Sequence, residues 1–143
     1  MSQLEDVDRA VKILAHSEKY VLQCTSAYPC PDDKLNLRVI PIYKERFGEM
    51  IDGVGFSGHH GGIAPDIAAY MMGARILERH YTLDRTMRGS DHAASLEKRG
   101  VEFILKYIDQ IEAAMGSDIK QVMQCELPAL KKLRNIETCA VQV

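Results

Sequence analysis

A chain of 143 residues, 46% hydrophobic and 27% charged with a formal net charge of -2, has the size and balance of one globular domain with a sizeable core. Near-neutral charge without a long basic run excludes the electrostatic footprint of a nucleic-acid or membrane-surface binder, which leaves small molecules or proteins as partners. Apolar runs fall short of the ~20 residues a bilayer span requires. The start, Met1-Ser2-Gln3-Leu4-Glu5-Asp6, lacks the basic and apolar regions of a secretory leader, so the expected location is the cytoplasm.

In chain order, Ser2 followed by Glu5 reads as a capping box, and Leu4, Val7, Val11 and Leu14 recur at helical spacing, so a helix opens the chain. Tyr20-Val21-Leu22-Gln23-Cys24 is a short apolar run closed by the breaker-rich Tyr28-Pro29-Cys30-Pro31-Asp32-Asp33, the pattern of a buried strand and its loop. Leu35 to Phe47 reads as the next helix, with Pro41 a mark against its first half. Gly53 to Ser57 is a second strand, followed by the Gly- and His-rich Gly58-His59-His60-Gly61-Gly62 and an apolar helix with Pro65 near its first turn. Arg75 to His80 is the third strand, weakened by its charges. A polar loop from Tyr81 to Ala94 leads to the clearest helix, from about Ser95 to Met115, stopped at Gly116. Lys120 to Val143 shows no periodicity and reads as a linker-like tail. Cys24, Cys30, Cys125 and Cys139 form no C-x-x-C pair and no zinc spacing, so they read as reduced structural thiols.

Alternating helices and strands imply βα units around a parallel sheet, either open or closed into a barrel. No G-x-G-x-x-G or G-x-x-x-x-G-K-[ST] follows any of the three strands, which counts against nucleotide-binding open sheets. A full (β/α)8 barrel takes roughly 250 residues, so three strands are part of one at most, with two edges to be covered.

Parallel βα architectures carry their active sites at the C-terminal strand ends, and His59 and His80 directly follow successive strands. Two imidazoles at one mouth suit a divalent transition metal, with further positions open to substrate oxygens and water. Spacing alone favours two hydrogen-bonded loop or core histidines over a metal pair. His60 and His92 read as solvent-facing, or as groups that orient a ligand; His16, on the polar side of the first helix, reads as incidental. Glu78 and Arg79 read as a structural ion pair or strand-end network.

Four stretches then carry a resemblance: Cys24-Thr25-Ser26-Ala27-Tyr28-Pro29, Gly55-Phe56-Ser57-Gly58-His59, Leu77 to Arg85 (LERHYTLDR) and Gly89 to Glu97 (GSDHAASLE). In their order and gaps, from Gln23 to about Leu133, the sequence resembles the N-acetylneuraminate (sialic acid) synthase family. The resemblance implies an α/β fold: the last three βα units of a partial (β/α)8 TIM barrel preceded by one helix, over residues 1–119, with 120–143 a tail towards an antifreeze-like domain. It implies a transferase in carbohydrate biosynthesis that condenses phosphoenolpyruvate with N-acetylmannosamine or its 6-phosphate. C3 of phosphoenolpyruvate attacks the sugar aldehyde, water adds at C2 and phosphate leaves. The implied cofactor is a divalent metal, manganese in most members, at His59 and His80. Ser26 and Ser57 match positions near phosphoenolpyruvate, and Tyr28 and Asp91 match positions facing the amino sugar. Many bacterial members have Ser-Asp-His where this chain has Ser57-Gly58-His59, a form closer to animal-type synthases.

No residue here matches a general acid or base. The family's first five strands, with the lysines and acidic residues that grip phosphoenolpyruvate, fall outside the resemblance, as does the antifreeze-like domain with its sugar-site arginine. The expectation is therefore a fragment inactive alone that forms a homo-oligomer or meets a partner chain supplying the other barrel half. A non-catalytic assembly or regulatory subunit, or a remnant that only binds metal and sugar, is the alternative.

Overall fold

The computed structural model describes residues 1–134; Cys139 and the end of the expected tail lie outside them. The order is α1 (Leu4–Ile13), β1 (Tyr20–Cys24), α2 (Val39–Phe47), β2 (Gly53–Gly58), α3 (Ala64–Met71), β3 (Ile76–Arg79), α4 (Lys98–Met115) and α5 (Leu127–Leu133). The strands pair in parallel in the order β1-β2-β3, with Gln23, Phe56 and Leu77 at one level and Cys24, Ser57 and Glu78 at the next.

Side chains alternate across a strand, so this register sorts the chain into two faces. Val54 and Phe56 point to the helix-covered face and pack with Leu35, Ile40, Ala69 and Ala74. Ile40, Phe47 and Phe56 are fully buried, each worth about 1.5–3 kcal/mol of transfer free energy. Gln23 shares that face and donates from Nε2 to the Leu35 carbonyl at 3.1 Å, which satisfies a buried amide. Leu22, Cys24, Gly55, Ser57, Ile76 and Glu78 line the other face, where Cys24 and Glu78 are exposed.

Boundaries moved for local reasons. The first helix is capped one residue later than expected, Gln3 N–H donating to the Asp6 carboxylate at 2.9 Å, and it ends at Ile13, so His16 lies beyond it, exposed. The second helix begins at Val39 instead of Leu35 because Asn36 takes a left-handed backbone, φ +51°. Pro41 then falls in the first turn, where an N–H would have no partner within the helix. Ser95 stays outside α4: its hydroxyl donates to the Asp91 carbonyl at 2.7 Å, and α4 stops at Gly116 with φ +54°. The tail, read as patternless, holds α5, seven residues long and too short to display a periodicity. Cys30 is buried in the core, whereas Cys24 and Cys125 are exposed free thiols. None of the described helices is long and apolar enough to cross a membrane.

Candidate active site at the strand ends

Strand alternation continues past the ladder. His59 and His80 follow Ser57 and Glu78 on the open face, and their ring centroids lie 5.1 Å apart with the planes at 87°. Tyr28, from the loop after β1, packs over both, with centroids 4.2 Å from His59 and 5.6 Å from His80. All three strands thus deliver one aromatic side chain to a common mouth. His59 is buried, while Tyr28 is 44% exposed, its ring open to a ligand.

The hydrogen bonds of these imidazoles decide what they can hold. His59 Nδ1 lies 3.3 Å from the Thr25 carbonyl oxygen. A carbonyl can only accept, so Nδ1 carries the proton and Nε2 keeps its lone pair. His80 Nδ1 lies 3.4 Å from Asp91 Oδ2, an electrostatic approach without hydrogen-bond geometry that leaves the His80 tautomer open. Ligating histidines are oriented in this way, by an oxygen acceptor behind the ring. Two imidazoles sharing an ion at about 2.1 Å have centroids roughly 5 Å apart, as these have. No cluster of three His, Cys, Asp or Glu side chains able to hold an ion occurs among the described residues. The donor set therefore fits an ion held by two imidazoles and completed by oxygens from elsewhere.

The remaining expected residues divide. Asp91 lines a cavity of about 360 Å³ with His80, Tyr81, Ser90, His92 and Ser95, beside the imidazole pair. Ser57 donates from Oγ to Glu78 Oε1 at 2.7 Å on the open face. Ser26 opens instead onto a cavity of about 470 Å³ with Cys24, Thr25, Asn36 and Tyr43. Cys24 stands between the two places, its Sγ 3.7 Å from Ser26 Oγ and 3.9 Å from His59 Nδ1.

Beneath the mouth, on the helix-covered face, lies a buried polar cluster. His60 is fully buried, which corrects the solvent-facing reading: one position after His59, alternation turns it inward. Arg79 Nη1 lies 2.5 Å from Asp66 Oδ2 and 3.2 Å from His60 Nε2. Glu78 and Arg79 form no pair with each other, because neighbours on a strand face opposite ways; Arg79 does belong to a strand-end network. Burial pushes the Arg79 pKa down and Asp66 opposes that, leaving a guanidinium that stays charged. His60 Nδ1, Asp66 Oδ1 and Arg79 Nε have no hydrogen-bond partner within the protein. His92 is half-buried, its Nδ1 2.8 Å from Thr82 Oγ1, and belongs to the loop's own framework.

Gly58 allows this inward turn. A Cβ there would lie 2.8 Å from Phe56 Cε1 and 2.9 Å from His60 Cε1, both in rigid rings. We expect Gly58→Ala to destabilise the chain by about 1–3 kcal/mol in urea unfolding, and less when combined with His60→Ala. Equal losses in both backgrounds would contradict the clash. Cys24 and Asp66 are the residues sequence reasoning missed; period-two alternation from His59 back to Ser57, and across the ladder to Cys24, was the signal for the first.

A parallel α/β sheet with two imidazoles and a phenol at its C-terminal strand ends is the class of site these elements define. The NeuB family description matches residues 1–120, and the chain belongs to that family. It is 43% identical over 122 residues to N-acetylneuraminate-9-phosphate synthase of Homo sapiens, covering 85% of this chain and 33% of that protein. It is 36% identical over 131 residues to N,N'-diacetyllegionaminic acid synthase of Campylobacter jejuni, covering 88% of this chain and 38% of that protein. The crystal structure of N-acetylneuraminic acid synthetase from Leptospira borgpetersenii in complex with citrate superposes with a TM-score of 0.76 at 27% identity, covering 92% of this chain and 46% of that one. The chain thus spans between a third and a half of these relatives.

Proposed function

We propose that this chain forms the metal- and sugar-holding end of a sialic-acid-synthase-type active site, which condenses phosphoenolpyruvate with N-acetylmannosamine or its 6-phosphate. The supporting observation is the convergence of Tyr28, His59 and His80 at adjacent strand ends, with Asp91 behind His80. In this reading β1, β2 and β3 are the last three strands of a (β/α)8 barrel. Residues 1–119 belong to it, and 120–143 lead away from it. Cytoplasmic location goes with this reading.

His59 and His80 would hold a divalent ion, manganese in the first instance. When bound, that ion supplies Lewis-acid polarisation of a carbonyl oxygen. The exposed Tyr28 and the half-buried Asp91 would hydrogen-bond the open-chain sugar and set its aldehyde carbon against C3 of phosphoenolpyruvate, at low entropic cost. Ser57, on the open face, would turn its hydroxyl from Glu78 to donate to phosphoenolpyruvate oxygens, and Ser26, in the next cavity, would do the same. The rest of the barrel must come from residues beyond these 143 or from a partner chain. Edge strands seek such partners, so the isolated chain should self-associate; a sharp monomer in analytical ultracentrifugation would contradict this.

Titration of N-acetylmannosamine and its 6-phosphate into the manganese-loaded chain tests the sugar end. The expected result is saturable binding, weakened about tenfold in Asp91→Asn by loss of a charge-assisted hydrogen bond. Absence of binding by either sugar in the loaded chain would contradict the assignment.

A further inference from the structure

We infer that Arg79 is a positioning residue: one guanidinium locks the loop carrying His59 to the loop carrying Asp91. This rests on reading those residues as the ion- and sugar-holding site. Arg79 leaves β3 on the face opposite His80, so it acts from beneath the mouth. Its Nη2 donates to the His60 carbonyl at 2.7 Å and to the Ala94 carbonyl at 3.2 Å. Its Nη1 donates to the Gly62 carbonyl at 3.1 Å and to Asp66 Oδ2 at 2.5 Å. His60 is bonded directly to His59. Ala94 N–H in turn donates to the Asp91 carbonyl at 3.1 Å. The two loops come from different strand ends, and Arg79 spans both through backbone carbonyls, which carry no sequence information and serve to set distance.

Stability alone accounts poorly for this cluster. It takes two charges out of water and leaves His60 Nδ1, Asp66 Oδ1 and Arg79 Nε without a protein hydrogen-bond partner. Replacing such a buried ion pair with well-packed apolar groups is often neutral or stabilising. What an apolar group cannot do is serve acceptors on separate segments at once. A planar fork of five donors can, and a lysine ammonium cannot match that geometry.

The test compares the full chain with Arg79→Lys and with the apolar pair Arg79→Met/Asp66→Leu, both held below their unfolding temperatures. The nitrogen chemical shifts of the His59 and His80 imidazoles in metal-free protein are the first readout, and manganese affinity by calorimetry is the second. We expect both variants to fold, their His59 resonances to move, and manganese affinity to fall about tenfold or more. Unmoved resonances with wild-type affinity in a folded variant would reduce Arg79 to a structural part and overturn the inference. If the double variant fails to fold, Arg79→Lys decides alone, because it keeps the charge beside Asp66. If the wild-type chain takes up no manganese, the ion reading fails by itself. The imidazole resonances still settle Arg79: displaced in a folded variant they support positioning, unmoved they refute it.

Discussion

We expect manganese titrated into the chain to give one saturable, weak isotherm that His59→Ala or His80→Ala abolishes. Among the described residues the two imidazoles are the ligands proposed at the mouth, so removing either would leave a single donor. The loss should exceed the roughly 10- to 100-fold that follows removal of a group merely orienting a ligand. Asp91→Asn and Cys24→Ser supply the comparison: Asp91 stands 3.4 Å behind His80 and Cys24 3.9 Å from His59 Nδ1, each on the Nδ1 side of its ring. Both variants should therefore weaken binding without removing it. Calorimetry that returns the wild-type isotherm for both alanine variants would end the metal assignment.

Given phosphoenolpyruvate, manganese and either sugar, the purified chain should release no phosphate. The open face of the sheet carries Leu22, Cys24, Gly55, Ser57, Ile76 and Glu78. None of these is a cation, and Arg79 lies on the other side, engaged with Asp66. No strand side chain on that face carries a positive charge to neutralise the phosphate and carboxylate of phosphoenolpyruvate, which leaves at most the proposed ion at the mouth. Loss of one preorganised donor costs on the order of 10²–10³ in rate, and here several are lacking. Binding should tolerate that loss because the groups proposed to hold the sugar and the ion are present. Turnover should fall below detection.

β1 and β2 were legible as short segments closed by turn residues and β3 less so because of its charges, while α1 was legible from apolar residues at helical spacing and α4 as the clearest helix. Irregular turns and the short α5 were not. Asn36 shows no periodicity that would announce a positive φ, and α5 is too short to display a stripe. The imidazole pair was legible as position, His59 and His80 after successive strands, and the family resemblance gave it a use. Its environment was not, because Thr25, Cys24 and Asp91 reach it from other segments, and contacts of that kind need the register. His60 shows the limit most plainly. In the sequence it is one of two adjacent histidines in a glycine-rich loop, with polar and flexible neighbours suggesting solvent. Only the continuation of β2 alternation, with Gly58 leaving space for the ring, turns it into the core beside Asp66 and Arg79. Asp66 carried no signal at all: in a helix's first turn an acidic residue usually faces water and favours the dipole.

Phosphate release, measured on the chain alone and on the chain co-expressed with the first five βα units of a related synthase, tests most directly whether this is one end of a synthase site. The account predicts none from the chain alone, and release from the pair that depends on manganese and on the sugar and disappears in His80→Ala. Metal- and sugar-dependent release from the chain alone, lost in His80→Ala, would contradict it by showing that these 143 residues build the whole site themselves.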